Sequence, residues 1–374
     1  MRILYISIAY IPSRRANSVQ VMKMCEAFAR SGHRVTLVAK DNPERLEGGI
    51  DNDHSFYGVA PIFEIVKVPR PSWRGASLAL ACRIQTLMAN ARSETDLLYS
   101  RDLIAAYLGI RSGYPTVFEA HEVPDRWWSR AAFGRLARSS YFRRLVVISR
   151  ALKEDLARLS RTREEKVVIA HDGADPAAST RQRSRRTQPT DRVRLQVGYA
   201  GSLYPGRGIG LILELARRQP EHDIHIIGGE SMDLEQWSHA ALPRNLVFHG
   251  HVPHALIPDH LASFDVALLP YQRRVMGRSR RSDTSRWMSP MKMFEYMAAG
   301  LPIVSSDLPV LREVLENGRN ALLVSPDDLD AWAKAISLLA ANAGLRRRLG
   351  EAARADLIEY YTWETRARSV LADL

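Results

Sequence analysis

The chain is poor in cysteine and has no membrane-length apolar run. Only Cys25 and Cys82 occur in 374 residues, which excludes a disulfide framework and any cysteine metal cluster. Both lie in apolar, helical-looking stretches and fit a reducing compartment. No stretch of about 18 or more apolar residues is present, which excludes a spanning helix. Met1 to Pro12 is apolar behind Arg2, but it lacks a small-residue cleavage site and runs into Ser13, Arg14 and Arg15. It therefore reads as a first buried strand rather than a leader, and the protein is expected to be cytoplasmic. The hydrophobic share of 46% and charged share of 25% exclude disordered and collagen-like chains. At roughly 150 residues per domain the length predicts two or three domains, each able to bury its own core.

Acid is also in short supply: 53 Lys+Arg against 41 Asp+Glu leave a net charge of +12. The excess is local. Between Arg126 and Arg194, 18 cations face seven acids, a net of +11, so the remainder is nearly neutral. A second cluster, Arg273 to Arg286, has six arginines against Asp283. Evenly spread charge would suggest nucleic acid, whereas localised charge suggests a particular anionic partner, so no nucleic acid is expected.

Strand-like runs alternate with helical stretches along most of the chain. Ile3 to Ala9, Arg34 to Ala39, Leu97 to Tyr99, Thr116 to Glu119, Leu145 to Ile148 and Lys166 to Ala170 read as strands, with a helix over Val19 to Ser31. Ala177 to Arg192 is polar, basic and free of large apolar residues, as a linker would be. The alternation restarts with Leu195 to Ala200, Ile224 to Ile227, Leu246 to Gly250, Val266 to Leu269, Ile303 to Ser305 and Ala321 to Val324. This pattern predicts α/β architecture: two doubly wound parallel-sheet domains, 1–176 and 195–357, joined by a basic linker over 177–194. They are expected to face each other across a cleft at the carboxyl ends of their strands, where ligands of such sheets bind.

Several segments can carry chemistry at those strand ends. Ser289-Pro290 reads as an N-cap with proline at the first helical position, and Gly300 followed by Pro302 as a stop, giving a helix of about three turns. Its start follows an arginine-rich loop, and its backbone N–H groups and positive dipole end make a seat for a diphosphate. Glu295, further in, can accept two vicinal hydroxyls such as those of a ribose; an ordinary capped helix with a surface glutamate fits the same residues.

Val197 to Gly208 is a strand end, a glycine-rich loop and a helix start, where Gly201 lets backbone approach a ligand and Arg207 can neutralise phosphate without a metal. The spacing is not G-x-G-x-x-G, so a dinucleotide site is not expected. Ile226-Ile227-Gly228-Gly229-Glu230 is a further strand tip. His121, just past the strand Thr116 to Glu119, can donate a hydrogen bond to a substrate hydroxyl or stabilise developing charge; a structural histidine hydrogen-bonded to neighbouring glutamates is the other reading. From Asp125 to Val146, Trp127, Trp128, Phe133, Tyr141 and Phe142 interleave with Arg126, Arg130, Arg135, Arg138, Arg143 and Arg144. An interfacial helix on anionic lipid and a surface helix with core-facing aromatics both fit that tract.

Taken in order, Ser31-Gly32-His33-Arg34-Val35-Thr36-Leu37, Val147-Ile148-Ser149, Ala170 to Asp175, Gly198 to Gly208, Asn245 to Pro253, Phe264 to Pro270 and Ser289 to Glu313 resemble the retaining glycosyltransferases of family 4. The resemblance covers essentially the whole chain, and Tyr361-Thr362-Trp363-Glu364 resembles the start of the family's last helix, which implies that about 358–374 pack back onto the first domain. It implies the GT-B fold and a metal-independent transfer, with retention, of a sugar from a nucleoside diphosphate donor to a hydroxyl of a glycan or lipid-linked acceptor. The implied setting is cell-surface polysaccharide or lipopolysaccharide synthesis at the inner face of a membrane.

The resemblance also implies a donor site. Glu295 would hold the ribose, and Arg207, the Gly201–Ser202 loop and the helix start Ser289, Pro290, Met291 and Lys292 the diphosphate, with Gly228 and Val252 completing it. His121 matches the family's first-domain histidine near the reacting sugar. Three departures stand out. Trp287 occupies the position, eight before Glu295, of a frequent glutamate; Ser202 replaces a frequent arginine; and Ser13 to Val19 lacks the family's N-terminal Gly-Gly. A non-catalytic GT-B subunit that binds nucleotide or a partner protein is the competing reading.

Overall fold

The computed structural model describes residues 1–42, 52–69, 76–160, 162–176, 194–229, 242–277 and 283–374. The linker residues 177–193 and the arginines 278, 280 and 281 lie outside the described residues. Contacts divide the chain into two units, Met1–Asp172 with Trp363–Leu374, and Gly173–Thr362.

The first unit is built on seven parallel strands: β1 (Arg2–Ile11), β2 (Arg34–Asp41), β3 (Glu64–Val68), β4 (Leu97–Ser100), β5 (Thr116–Ala120), β6 (Phe142–Val147) and β7 (Val167–Ile169). Their order is β3-β2-β1-β4-β5-β6-β7, so the winding reverses between β1 and β4 and leaves the crevice typical of doubly wound sheets beside their carboxyl ends. β4 and β5 are buried at every position, as expected of parallel strands covered on both faces. Glu119 sits inside one of these wholly buried strands. The edge strand β3, Glu-Ile-Val-Lys-Val, has no continuous apolar run and only its last residue is buried; that is why no strand is anticipated there from the sequence. The helix Trp363–Leu371 packs against the helix Ala16–Arg30. It turns Trp363, Arg366, Ala367, Val370 and Leu371 inward, a 3–4 spacing that marks one face of a helix.

The second unit has six parallel strands: β8 (Gln196–Ala200), β9 (Asp223–Ile227), β10 (Leu246–Gly250), β11 (Val266–Leu269), β12 (Ile303–Ser306) and β13 (Leu322–Val324). The order β10-β9-β8-β11-β12-β13 puts the reversal between β8 and β11. The helix Met291–Ala298 is shorter than expected, eight residues, with Pro290 rather than Ser289 in the cap position, extended at ψ 116°. At its other end Gly300 takes φ 59°, and Gly300 N–H donates to Met297 O and Leu301 N–H to Tyr296 O. This is the glycine-terminated C-cap that a following Pro302 cannot extend.

The helix Ala343–Tyr360 packs on Met291–Ala298 through Gly350, where a Cβ would stand 2.1 Å from Gly300 O. Gly350→Ala gains about 1 kcal/mol of helix propensity but forces two backbones apart, an overpacking cost of about 1–3 kcal/mol. Urea denaturation is therefore expected to show lower stability for Gly350→Ala than for the wild type.

Candidate active site

The carboxyl ends of β8, β9 and β11 gather most of the donor-site residues expected from the sequence. Gly201, after β8, has φ 148°, and a Cβ there would lie 2.6 Å from Lys292 Nζ. Gly228, after β9, has φ 114°, and its Cβ would lie 2.1 Å from Gly201 O. Glycine is favoured at both by the positive φ, and at Gly228 the backbone of Gly201 also leaves no room for a side chain. Lys292 is 9% exposed. Its ammonium donates to the Tyr199 hydroxyl at 2.7 Å and lies 3.9 Å from the centre of that ring and 5.1 Å from that of Tyr271. The Tyr199 hydroxyl in turn donates to Ser202 O at 2.7 Å.

Arg207 donates from Nη1 to the Tyr271 hydroxyl at 2.8 Å and lies 5.1 Å over the Tyr271 ring, while its Nε is buried without a hydrogen-bond partner. Among the described residues no carboxylate forms an ion pair with either cation. Burial, then the charge of Arg207, pushes the Lys292 ammonium well below the usual lysine range, with Glu295 opposing. One buried and one half-buried cation whose hydrogen-bond partners are tyrosine hydroxyls form an electrostatic hole into which an anion fits.

Ser289 and Pro290 are buried just ahead of the helix Met291–Ala298. That helix carries no side-chain cap and no acidic residue in its first turn, so its positive end is uncompensated by its own residues. One turn inside, Glu295 Oε1 accepts from His254 Nε2 at 2.8 Å. Its other oxygen makes no hydrogen bond among the described residues and remains available to hydroxyls. Val252, in the same loop as His254, packs against the core cluster that contains Met293 and Phe294. The Arg273 to Arg286 cluster is partly committed elsewhere: Arg273 Nε pairs with Asp327 at 2.6 Å and Arg274 with Asp283 at 3.8 Å.

His121 belongs to the first unit, at the end of β5. Its Nε2 lies 2.6 Å from Glu119 Oε1. Glu119 also accepts from Gln20 Nε2 at 2.7 Å, from the Tyr99 hydroxyl, and from both terminal nitrogens of Arg366 at 3.0 and 3.2 Å. Burial alone would raise the Glu119 carboxyl, but the Arg366 guanidinium, the His121 hydrogen bond and the nearby positive charge of Arg101 hold it well below the usual carboxylate range. Burial and Arg101 push His121 down to about 4. Along the tract that follows, the helix Trp127–Arg138 buries Phe133 and Leu136 but leaves Trp127 81% and Trp128 40% exposed, so core packing accounts for only part of its aromatic content.

His254, Tyr199, Tyr271, Glu119 and Arg366 were not singled out as site residues from the sequence. Arg366 had a readable signal, an arginine on the same helical face as Trp363, Ala367 and Val370. Tyr271 follows β11 by two residues, directly after Pro270. Nothing in the spacing ties His254 to Glu295, because the contact is made between distant loops.

Comparison with known proteins places this geometry. Two doubly wound units with anion-receptive strand ends are the arrangement of GT-B glycosyltransferases. Anabaena HepE in complex with UDP and glucose superposes with a TM-score of 0.71 at 16% identity, covering 99% of this chain and 98% of that one. WaaG, a glycosyltransferase involved in lipopolysaccharide biosynthesis, superposes at 0.67 and 14% identity, over 99% and 100%. The model of Glycosyltransferase Family 4 matches residues 18–178 and that of Glycosyl transferases group 1 matches 194–342. The chain belongs to this family of glycosyltransferases.

The chain is 24% identical to a GDP-mannose-dependent alpha-(1-6)-phosphatidylinositol monomannoside mannosyltransferase of Mycolicibacterium smegmatis, over 88% of this chain and 95% of the relative. Several other curated relatives are matched over only about half their length, 49–58%.

The low-lying Lys292 gives a direct test of the cation pair. A diphosphate beside the ammonium raises its pKa toward the ordinary lysine range, so binding of UDP or GDP is expected to draw protons from the buffer at pH values between the free and the bound pKa of Lys292. Calorimetry in buffers of different ionisation enthalpy measures this uptake, which should vanish in Lys292→Met.

Proposed function

We propose that this chain is a retaining glycosyltransferase that moves a sugar from a nucleoside diphosphate donor, a UDP- or GDP-sugar, to a hydroxyl of a glycan or lipid-linked acceptor in cell-surface polysaccharide or lipopolysaccharide synthesis. The observation that carries the reading is the pair of cations, buried Lys292 and half-buried Arg207, beside the Gly201 and Gly228 strand ends, without an ion-paired carboxylate among the described residues. Family membership supports it, as do the bound UDP and glucose of HepE and the GDP-mannose dependence of the mycobacterial relative.

In this reading the bond between the anomeric carbon and the diphosphate oxygen breaks, its electron pair stays on the diphosphate, and the acceptor oxygen takes its place with release of its proton. Arg207, Lys292 and the uncapped start of Met291–Ala298 stabilise the charge that gathers on the leaving group. Fixed donors that meet charge as it develops lower the barrier most, so the reaction is expected to need no metal ion. Glu295, braced by His254, accepts the ribose hydroxyls through its remaining oxygen, and His121 is assigned to the reacting sugar. Removal of either Arg207 or Glu295 is predicted to abolish most transfer: Arg207→Ala and Glu295→Ala should each lose at least about 100-fold in kcat/KM while keeping the wild-type thermal transition. Wild-type rates in either variant would contradict the site.

A lipid-linked acceptor calls for access to a membrane, and the exposed Trp127 and Trp128 beside Arg126 and Arg130 support docking on anionic lipid. No helix among the described residues is long and apolar enough to cross a membrane, so this contact is a peripheral one. Vesicles containing acidic lipid should recruit the protein at low salt and release it at high salt; Trp127→Ser with Arg130→Glu should abolish recruitment. Equal binding to neutral vesicles would count against the electrostatic part.

A further inference from the structure

Glu119 lies at 0% exposure in β5, where a carboxylate has no water to turn to. Every contact it makes is therefore informative. Arg366 approaches it with two guanidinium nitrogens, and the arginine is itself held in place by Nε donating to His171 O at 2.9 Å and Nη2 to Ala170 O at 3.3 Å. Gln20 donates to the same carboxylate, and its own carbonyl accepts from Arg101 Nη1 at 2.7 Å. A carboxylate locked in its ionised form by a bidentate arginine can only accept hydrogen bonds. The ring nitrogen of His121 that faces it at 2.6 Å must therefore carry a proton.

The other ring nitrogen, Nδ1, makes no hydrogen bond among the described residues. Protonating it as well would create an imidazolium beside two guanidiniums, Arg101 and Arg366, in a partly buried position. The charged groups around the ring are thus Glu119, which favours a second proton, and these two arginines, which together with burial oppose it.

We propose that Glu119, clamped by Arg366, is a positioning residue that confines the ring proton of His121 to Nε2, so that His121 presents the Nδ1 lone pair and accepts a hydrogen bond from a substrate hydroxyl. This reverses the donor role expected for His121 from the sequence. It rests on the transferase reading, and it deepens that reading by assigning the polarity of the contact: the substrate must bring an O–H, and a substrate whose hydroxyl at that point is replaced by an ether loses the contact. Arg366, although distant in sequence, acts through Glu119 and touches no substrate.

The decisive experiment uses the intact chain with 15N-labelled histidine rings and long-range 15N–1H correlation at pH 7, His121 being assigned by the signal lost in His121→Gln. The expected pattern is a neutral ring protonated at Nε2, unchanged down to about pH 5. An imidazolium, or a ring protonated at Nδ1, overturns the proposal.

A second arm uses Glu119→Gln, whose amide can present either a donor or an acceptor to the ring. The expected result is a changed tautomer signal together with a fall of about tenfold or more in kcat for transfer, with donor KM held within about twofold. A Glu119→Gln protein with wild-type ring signals and wild-type kcat overturns the proposal, since a merely structural role for Glu119 would shift only thermal stability. The transferase reading fails by a different result: wild-type protein that binds UDP or GDP yet transfers no sugar to any acceptor. The ring signals then still decide whether Glu119 sets the proton.

Discussion

Two basic side chains, Lys292 and Arg207, held at one sheet edge without an ion-paired carboxylate among the described residues, are the constraint around which the second unit is organised. Bringing Lys292 and Arg207 together among Tyr199 and Tyr271 costs several kcal/mol of lost hydration and mutual repulsion, and the protein's own residues return hydroxyl hydrogen bonds, ring faces and the charge of Glu295 without an ion pair. Local geometry is spent on maintaining this arrangement. Gly201, at positive φ, leaves room for the lysine, Gly228 leaves room for the backbone of Gly201, and the helix that carries Lys292 begins without a side-chain cap. A site that is incomplete in charge is what the proposed anion would complete. The nucleoside diphosphate reading follows from that incompleteness and from the unoccupied oxygen of Glu295 one turn away.

The first unit solves the opposite problem. There a carboxylate is buried in the middle of a sheet, and the chain's last helix supplies the arginine that neutralises it. Removing one partner of such a pair costs about 3–5 kcal/mol, so the helix Trp363–Leu371 is bound to the unit by charge as well as by its apolar face. The surplus hydrogen-bonding capacity of that carboxylate is what reaches His121. A stabilising contact and a chemically directed one are thus made by the same side chain, which explains a charged residue in a strand whose other positions are buried without charge.

Much of this architecture was legible in the sequence because doubly wound sheets leave a strong trace. Their strands read as short apolar runs, most of them buried, and twelve of the thirteen among the described residues are anticipated in this way. The exception, β3, is an edge strand and lacks the apolar signal. Glycines at strand ends were visible for the same reason, since Gly201 and Gly228 interrupt otherwise apolar runs. The start of the lysine-bearing helix was misjudged by a residue or two: Ser-Pro is a common capping pair, but Pro290 is extended here and the helix begins after it. What sequence could not disclose were pairings between distant segments, Arg366 with Glu119 and His254 with Glu295, because each depends on tertiary approach rather than on spacing. The polarity of His121 was hidden with them, as a histidine beside glutamates reads the same whichever nitrogen bears the proton.

The central claim is that the cation pair is a diphosphate seat, and the most direct measurement compares affinities along a phosphate series. Calorimetric titration of the wild-type protein with uridine, UMP and UDP, and with the guanosine and adenosine equivalents, isolates the contribution of the phosphates from that of the base. The account predicts that for one base the diphosphate binds at least about 100-fold more tightly than the nucleoside, the worth of two charge-assisted contacts, and that the gain collapses in Arg207→Ala. Equal affinities for nucleoside and nucleoside diphosphate, for every base, would contradict it.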